Sequence, residues 1–309
     1  MAFLLAGLAF AGCATAADDA RAPTVVMRPL PLSEALARDR RIGATELLGA
    51  WQLSSSAAGF GGFSALLVEG DTLLALSDRA VLWRARMAHG GDGRLTGLEA
   101  WRSVPVGDPA RDDTEALARL TGGTLVMALE APFALRALEG ALPPDATALA
   151  AALDRLQPNR GVEALASLPG GGLLALVEGR ESDGTHRMVA LGRAGLSRGR
   201  YRSASGFAPT AAERLGRHLL VLERRFSLTG GFENRIVVLD AATAAGQHTP
   251  LVGREIARLG MATISENFEG IAATRAADGT VLLLVISDDN FSPLQRTVLL
   301  QLGWREESR

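Results

Sequence analysis

A repeated pattern of strand, turn and strand constrains this chain more than any other feature. Residues 113–130 and 159–178 each read as a polar loop, a short apolar strand, a glycine turn and a second apolar strand that ends in glutamate, and they align without a gap from Glu115 to Glu130 and from Glu163 to Glu178. Residues 265–291 repeat the pattern, and looser copies occupy residues 62–79 and 208–224. Each copy therefore predicts a β-hairpin with polar residues before its first strand and after its second.

The spacing of the copies indicates the fold. The carboxylates at the second-strand ends follow one another at intervals of 52, 48, 45 and 65 residues; they are Asp78, Glu130, Glu178, Glu223 and Asp288. A period near 50 residues, made of strands and turns, is typical of a β-propeller blade. With about 290 residues after a leader, about six blades fit. We therefore predict an all-β chain whose residues 45–305 form one six-bladed β-propeller.

Three segments outside the repeats have predicted places. Glu46–Leu53 reads as a strand that pairs with the final strand, Thr297–Trp304, and so closes the ring. Residues 145–156 follow two prolines and carry leucines at helical spacing. They predict one short helical insertion, either an outer decoration or a flap over the pocket. Residues 18–44 are polar and proline-bearing, and we expect a linker there.

Residues 1–17 read as an export leader. An apolar run from Phe3 to Gly12, too short to span a bilayer, precedes several small residues. Two processing sites stay open: Ala14-Thr15-Ala16 suits signal peptidase, while Ala11-Gly12-Cys13 resembles a lipoprotein box. Cys13 is the only cysteine, so the mature domain has no disulfide and no thiol catalyst. We expect lipidation at Cys13, a periplasmic or envelope-anchored protein, and membrane contact through that anchor.

The charge balance and the missing motifs exclude several classes of function. With 32 basic and 34 acidic residues, the chain gives no electrostatic reason to bind nucleic acid. All basic residues are arginine, so any cationic group in a site is a guanidinium suited to phosphate or carboxylate. No Walker loop, dinucleotide fingerprint or HExxH motif occurs, and the four histidines fall outside the repeat phase. A serine-histidine hydrolase is therefore not expected.

Three glutamates share one phase of the repeats. Glu115, Glu163 and Glu269 each precede a small residue and an aliphatic one, and Ser64 and Thr210 hold the matching phase in the looser copies. Because loops before the innermost strands of a propeller gather at its axis, these carboxylates should converge and repel one another unless a cation compensates them. Oxygen ligands suit Ca²⁺ or Mg²⁺, and we expect Ca²⁺. The alternative is that the glutamates cap loops or pair with arginines.

A second polar set lies at the second-strand ends. Acid and arginine neighbours there could form a collar that receives an anionic ester beside a metal, or could tie the blades together. The catalytic candidates are Glu163, Asp288 and Asp289. The substrate-binding candidates are Arg79, Arg160, Arg224 and Asn290.

Five motifs lie at the ends of the predicted strands in the repeats: Gly-Phe-Ser-Ala-Leu at 62–66, Asp-Thr-Glu-Ala-Leu at 113–117, Asn-Arg-Gly-Val-Glu-Ala-Leu at 159–165, Glu-Asn-Phe-Glu-Gly-Ile at 266–271 and Ser-Asp-Asp-Asn-Phe-Ser-Pro-Leu-Gln-Arg-Thr at 287–297. Taken together, these motifs resemble the bacterial "esterase-like activity of phytase" family. The resemblance implies a secreted, phytase-like β-propeller, and the family's name points to phosphoester or carboxyester hydrolysis. Ala80, after Asp78-Arg79, stands where the family often has glycine.

Two hypotheses for function follow. In the first, an exported propeller hydrolyses a small phosphate or other anionic ester with a divalent cation held by Glu115, Glu163 and Glu269. In the second, the propeller is a non-catalytic envelope protein that binds a ligand or protein, and any metal is structural. An open coordination position would favour the enzyme, and a closed one would favour the binding protein.

Overall fold

The computed structural model describes residues 22–130, 133–153, 161–193, 195–246 and 250–306. Before the first repeat the chain forms strand β1 (Val25–Pro29), helix α1 (Glu34–Arg38), strand β2 (Arg41–Ile42) and strand β3 (Thr45–Ser55). The segment predicted to be a linker thus contains two strands and a helix, and β1 and β2 both pair with β3.

The repeats form antiparallel sheets, one blade each. Blade one contains β4 (Phe63–Glu69), β5 (Thr72–Ser77), β6 (Val81–His89) and β7 (Leu95–Pro105). Blade two contains β8 (Thr114–Arg119), β9 (Leu125–Leu129) and β10 (Ala134–Ala137), and helix α2 (Pro144–Leu153) follows it. Blade three contains β11 (Val162–Ser167), β12 (Leu173–Arg180), β13 (His186–Gly192) and β14 (Gly195–Tyr201).

The remaining strands complete two further blades. Blade four contains β15 (Ala208–Leu215), β16 (His218–Ser227), β17 (Gly231–Asp240), helix α3 (Ala241–Gly246) and β18 (Arg254–Leu259). Blade five contains β19 (Phe268–Arg275), β20 (Val281–Ser287) and β21 (Thr297–Trp304). Strand β3 pairs with β21 in the predicted alignment, Leu53 opposite Thr297 and Thr45 opposite Trp304, so the ring is closed by strands from both ends of the described chain.

Five apolar cores hold the ring together, one between each pair of neighbouring blades. The core between blades five and one, for example, joins Leu284 and Leu299 to Phe63 and Trp83. The first strands contact one another in chain order, and β19 contacts β4 again. Because inner strands such as β5 and β20 are buried on both faces, they read as nearly continuous apolar runs. The fold class is confirmed as an all-β propeller.

The blade count is five in the described residues, one fewer than predicted. The long interval before Asp288 contains no additional blade: it is taken up by α3 and by the two ten-residue strands β16 and β17. The residues before Phe63 also form no blade of their own, because β1 and β3 join blade five. Dividing chain length by period therefore overestimated the number of blades.

Helix α2 is the described part of the helical insertion predicted at residues 145–156. Residues 154–156 lie outside the described ranges. Leu149 and Leu153 are fully buried in the core between blades two and three. The helix contacts β10, β12 and β13, and it covers the outer side of a blade that has only three strands. This position fits the outer decoration better than the flap. No helix in the described residues is long and apolar enough to cross a membrane.

Candidate acidic site at the propeller mouth

Each blade has a β-bulge near the start of its first strand, at the second residue in four blades and at the third in blade four. The pairing with the second strand shifts by one residue at that point in all five blades. The extra residues, which we call the bulge ring, are Ser64, Glu115, Glu163, Thr210 and Glu269. A bulge re-aims one side chain without breaking the sheet, so the repeat phase seen in the sequence corresponds to one structural position around the axis.

In each blade, the residue just before the bulge pairs with a residue of the second strand. The next residue along that second strand belongs to a second ring, which we call the strand-end ring. Its members are Asp78, Glu130, Glu178, Arg224 and Asp288. In blade four the equivalent residue is Arg224, and the prediction of Glu223 at this phase was wrong by one residue. Glu223 is buried elsewhere, accepting hydrogen bonds from Tyr201 Oη and, at 2.6 Å, from Arg235 Nη1. Adjacent residues of a strand face opposite ways, so this shift changes the chemistry.

The axis itself is nearly closed below the bulge ring. The cavity there measures about 10 Å³ and is lined by Ser64, Glu115 and Glu163 together with alanine and leucine side chains. That volume holds about one water molecule. A cavity of this size is too small to admit an ester, and we call the end of the propeller that carries both rings the mouth face.

Blade two provides a compact set of carboxylates at the mouth face. Asp113, Glu115 and Glu130 can place one carboxylate oxygen each within 4.8 Å of one another. Asp113 is exposed and the two glutamates are half-buried. The backbone holds the set together, since Glu130 N–H donates to the Asp113 carbonyl at 2.9 Å. These oxygens could hold a divalent cation, and of the predicted ligands only Glu115 belongs to this set.

The electrostatics of the site favour a cation. Burial raises the pKa of Glu115 well above its usual value, and the charges of Glu163, Asp113 and Glu130 raise it further. Burial also raises the pKa of Glu163 to about 8, with Glu178 adding to the shift and Arg224 opposing it. Each ionised carboxylate here therefore makes the next one harder to ionise, and a bound cation would reverse that penalty.

Burial and neighbouring carboxylates also raise carboxylate pKa values in blades one and five. Burial raises the pKa of Asp78 to about 7, and Asp288 and Asp113 contribute by repulsion. Burial likewise raises the pKa of Asp288, against a 2.6 Å hydrogen bond from Asn290 N–H that stabilises its charge. Three carboxylates of the strand-end ring thus have raised pKa values, namely Asp78, Glu130 and Asp288.

Arg224 neutralises the opposite side of the mouth. Its Nη1 donates to Glu269 and, at 2.6 Å, to Asn267 Oδ1, while its Nη2 lies 3.7 Å from Glu178. Asn267 Nδ2 then donates to Glu269 at 3.0 Å and to Asp288 at 3.3 Å. The predicted metal ligand Glu269 and the predicted substrate ligand Arg224 are therefore paired with each other.

The other predicted site residues have mixed surroundings. Asp289 accepts hydrogen bonds from Gly62 N–H, Phe291 N–H and Thr297 Oγ1, at 2.8–3.0 Å. Arg79 is exposed and stacks on the Phe291 ring at 3.6 Å. Asn290 is also exposed, and its Nδ2 donates to Gln295 at 3.1 Å. Asp289 thus joins blades one and five, whereas Arg79 and Asn290 face solvent. Arg160 and Cys13 lie outside the described residues, and the roles predicted for all of these residues remain predictions.

Sequence reasoning missed Asp113 and Glu130 as partners of Glu115. The signal was present, because Asp113 lies two residues before the bulge and Glu130 lies at the end of the paired strand. Gly161 marks the same place, since a Cβ at this position would lie 2.8 Å from Glu130 Cγ. Ala80, where the related family often has glycine, has φ of +53°, the left-handed conformation that glycine adopts most easily.

The fold and the two rings define the class of this protein: a five-bladed β-propeller with an acidic mouth. The chain belongs to the Phytase-like family, described as "Esterase-like activity of phytase", whose sequence model matches residues 58–291. No curated protein shows significant sequence similarity to the chain.

Solved structures resemble the chain distantly. A protein of unknown function from Dyadobacter fermentans DSM 18053 has 13% identity and a TM-score of 0.44, with 91% of each chain covered. A gluconolactonase from Xanthomonas campestris has 12% identity and a TM-score of 0.42, covering 90% of this chain and 97% of its own. A luciferin-regenerating enzyme has 11% identity and a TM-score of 0.39, covering 79% and 93%.

Proposed function

We propose that this propeller hydrolyses small anionic esters, phosphate esters first, at its mouth face with the help of a divalent cation, Ca²⁺ first. The observation that carries the proposal is the set of Asp113, Glu115 and Glu130, whose oxygens approach within 4.8 Å. Carboxylate oxygens in such a set match the ligands that Ca²⁺ and Mg²⁺ prefer. Among the described residues, no guanidinium pairs with any of the three.

The residues present fit a cation for a second reason. The raised pKa of Glu115 has burial as its largest cause and neighbouring carboxylates as the next, so the site is destabilised by its own charge when nothing is bound. Asp113, Glu115 and Glu130 would hold the ion, with Glu163 at the adjoining position of the bulge ring. A bound divalent cation polarises an ester oxygen and lowers the pKa of a bound water.

The remaining chemistry is assigned to the chain's own side chains. Glu163, with a pKa of about 8, is poised near neutral pH to accept a proton from an attacking water. Arg224 lies in the neighbouring blade, and within the described ranges its Nη2 makes only the 3.7 Å contact with Glu178. That guanidinium edge would orient the anionic group of the ester. Asp288 neighbours Asn267, within the network that fixes Arg224.

A direct test measures cation binding and turnover in the same preparations. Thermal unfolding is followed in EDTA, Ca²⁺ and Mg²⁺, and hydrolysis of p-nitrophenyl phosphate and p-nitrophenyl acetate is assayed alongside. We expect a cation-dependent rise in the unfolding midpoint and a cation-dependent rate, with Glu163→Gln losing the rate and keeping the fold. Unchanged hydrolysis in Glu163→Gln would remove this residue from the mechanism.

The same test separates the rival function. Stabilisation by the cation without hydrolysis of either ester would point to a binding propeller whose metal is structural. No stabilisation and no hydrolysis would leave the carboxylates as loop and arginine partners and would contradict the metal site. The near closure of the axis is compatible with both functions, because both need only the mouth face.

We also propose that the protein is exported and anchored by a lipid on Cys13. The support is the sequence of residues 1–17. Labelling cells with a radioactive fatty acid tests it: the wild-type chain should incorporate label, Cys13→Ser should not, and label in both would contradict the anchor.

A further inference from the structure

Exposed apolar side chains are concentrated at the mouth face. In the described part of the chain eight large apolar residues are exposed. Six lie at the end where first strands begin and second strands end, namely Val26, Val104, Phe226, Leu228, Met261 and Leu294. The other two, Leu196 and Val252, lie at the opposite end. An apolar surface on one end of a propeller is typical of an interaction site.

The most exposed members belong to neighbouring loops of blades four and five. Leu228 is 96% exposed and Phe226 is 60% exposed, both at the tip of the β16–β17 hairpin. Met261 is 73% exposed in the loop after β18, and Leu294 is 93% exposed in the loop before β21. Exposure this high at loop tips means that these side chains pack on almost nothing in the protein.

The hairpin tip is built firmly beneath these side chains. Phe226 packs on Phe232 with ring centroids 4.9 Å apart. One step nearer the blade, Arg225 pairs with Glu233 at 2.6 Å, and Glu233 also accepts from Arg258. The loop after β18 is fastened to the same hairpin, because Ser265 Oγ donates to the Phe232 carbonyl at 2.8 Å. The tip thus presents Leu228 on a supported element.

The N-terminal chain leaves the propeller at the same end and in the same sector. In blade five, Val25 pairs with Ser55, and Ser55 Oγ donates to the Thr24 carbonyl at 2.7 Å. This end of β3 is the end that pairs with Thr297, next to the mouth. Cys13 lies nine residues before Ala22, a stretch that spans at most about 30 Å.

We propose that the mouth face docks on a lipid bilayer, with Phe226, Leu228, Met261 and Leu294 entering the headgroup and acyl boundary. Separate apolar tips suit a lipid surface, which deforms around each of them, better than a protein, which would need a matching pocket for each. A lipid on Cys13 would emerge on the same side, so that anchor and tips would act together. This proposal stands whether or not the mouth hydrolyses esters.

The charge of the mouth selects the lipid. Because the two rings carry carboxylates on four of the five blades, anionic headgroups would be repelled and zwitterionic ones tolerated. Phosphatidylcholine vesicles are therefore the probe of choice. Vesicles with added phosphatidylglycerol should bind less, and equal or stronger binding to them would contradict this selection.

Insertion depth gives the sharpest test. Leu228→Trp and the control Val252→Trp are prepared in the full chain carrying Cys13→Ser, so that no acyl chain contributes. Three of the four native tryptophans are buried and Trp51 is half-buried, so the new side chain dominates the exposed signal. With vesicles of phosphatidylcholine brominated on its acyl chains, we expect the emission that Leu228→Trp adds to its Cys13→Ser parent to fall about two-fold and the emission that Val252→Trp adds to stay constant. No quenching of Leu228→Trp, or equal quenching of both, overturns the proposal.

Vesicle flotation provides a second measurement on the same background. A variant with serine at Phe226, Leu228, Met261 and Leu294 should lose at least ten-fold in its partition onto phosphatidylcholine vesicles. The matched control, Leu196→Ser with Val252→Ser at the opposite end, should partition like the parent. Because the leader is identical in all chains, loss in both variants or in neither overturns the proposal. Either outcome would also redirect the apolar tips to a protein partner.

Discussion

The two halves of the mouth are built on the same bulged strands but have opposite charge states. In blade two, Asp113, Glu115 and Glu130 stand close together with no described guanidinium partner, and burial and neighbouring carboxylates raise the pKa values of Glu115 and Glu130. In blades four and five, Arg224 occupies the strand-end ring and pairs with Glu269. The carboxylates of one half could hold a cation, while the other half already contains the guanidinium of Arg224.

The comparison teaches that the place of a residue in the repeat fixes its position in the ring, whereas the charged side chains around it decide its chemistry. Glu115 and Glu269 are equivalent bulge residues, yet only the first lacks a described guanidinium partner. The difference arises from the strand-end position of the preceding blade, which is Asp78 for Glu115 and Arg224 for Glu269. Substitutions that exchange or remove these charges should therefore separate a functional half from a structural one.

The largest effect is expected from Glu115→Gln. Losing one charged ligand of the cation should lower the rate on p-nitrophenyl phosphate by about 100-fold or more, the scale of a lost electrostatic contact in an active site. Glu269→Gln, the equivalent change in the other half, should lower it less than ten-fold. Steady-state kinetics at saturating Ca²⁺ measures both.

The control for this pair is Glu213→Gln. Glu213 lies near the far end of β15, away from the mouth, and burial raises its pKa to about 8 as well. Its loss should leave turnover unchanged. A rate for Glu115→Gln as high as that for Glu213→Gln would show that burial alone, without a cation, explains the raised pKa of Glu115.

The next largest effect is expected on stability, in the half of the mouth where Arg224 pairs with Glu269. Arg224→Ala leaves Glu269 largely buried without its cation, and breaking such a pair costs about 3 kcal/mol of unfolding free energy. Adding Glu269→Gln to Arg224→Ala should recover most of that loss, because the unpaired charge is then removed. Urea unfolding of the two single variants and the double variant measures the coupling.

Arg305→Ala serves as the surface control for the ion pair. Arg305 pairs with Asp278 at 3.1 Å, but its side chain is 82% exposed. Its removal should change the unfolding free energy by less than about 0.5 kcal/mol. If Arg224→Ala costs as little as Arg305→Ala, the contrast between the two halves of the mouth fails.

A smaller effect is expected from pH. In EDTA, the carboxylates whose pKa values are raised in the folded protein favour the fold only while they are protonated. Their contribution to stability is therefore full below pH 4.5, the ordinary pKa of glutamate, and is lost as pH rises through about 8, the pKa of Glu163. We expect Glu163→Gln to flatten this loss. Saturating Ca²⁺ should reverse the slope, because the cation competes with protons. Unfolding midpoints between pH 5 and 9 test this, and equal slopes with and without Ca²⁺ would contradict a metal at the mouth.

The sequence predicts the propeller well because its strongest signals are local. Strand, turn and strand repeat at a nearly constant spacing, and the apolar runs of β5, β12 and β20 are fully visible as patterns. The pairing of β3 with β21 also follows from the sequence, since an unpaired edge strand at each end of the repeats needs a partner. The number of blades does not, because insertions such as α3 change the spacing without adding a sheet.

The site is harder to predict because a shift of one residue in the strand pairing changes which side chain faces the mouth. Glu223 and Arg224 are neighbours in the sequence, yet one is buried against Tyr201 and the other faces the mouth. No pattern of composition or spacing distinguishes them, since the bulge that sets the register depends on the packing of adjacent blades. The pairing of Glu269 and the clustering of Asp113 with Glu130 follow from that same register.

The smallest predicted effect concerns the neutral members of the bulge ring. Ser64 Oγ donates to the Thr114 carbonyl at 2.6 Å, which joins blade one to blade two just before Glu115. Ser64→Ala should cost about 1 kcal/mol of unfolding free energy, the usual value of a buried hydrogen bond, and change the rate only a few-fold. Ser55→Ala loses an exposed bond of 2.7 Å and should cost less. If Ser64→Ala instead abolished turnover at full stability, the hydroxyl would belong to the chemistry, and the division of the ring into charged functional members and neutral structural members would be wrong.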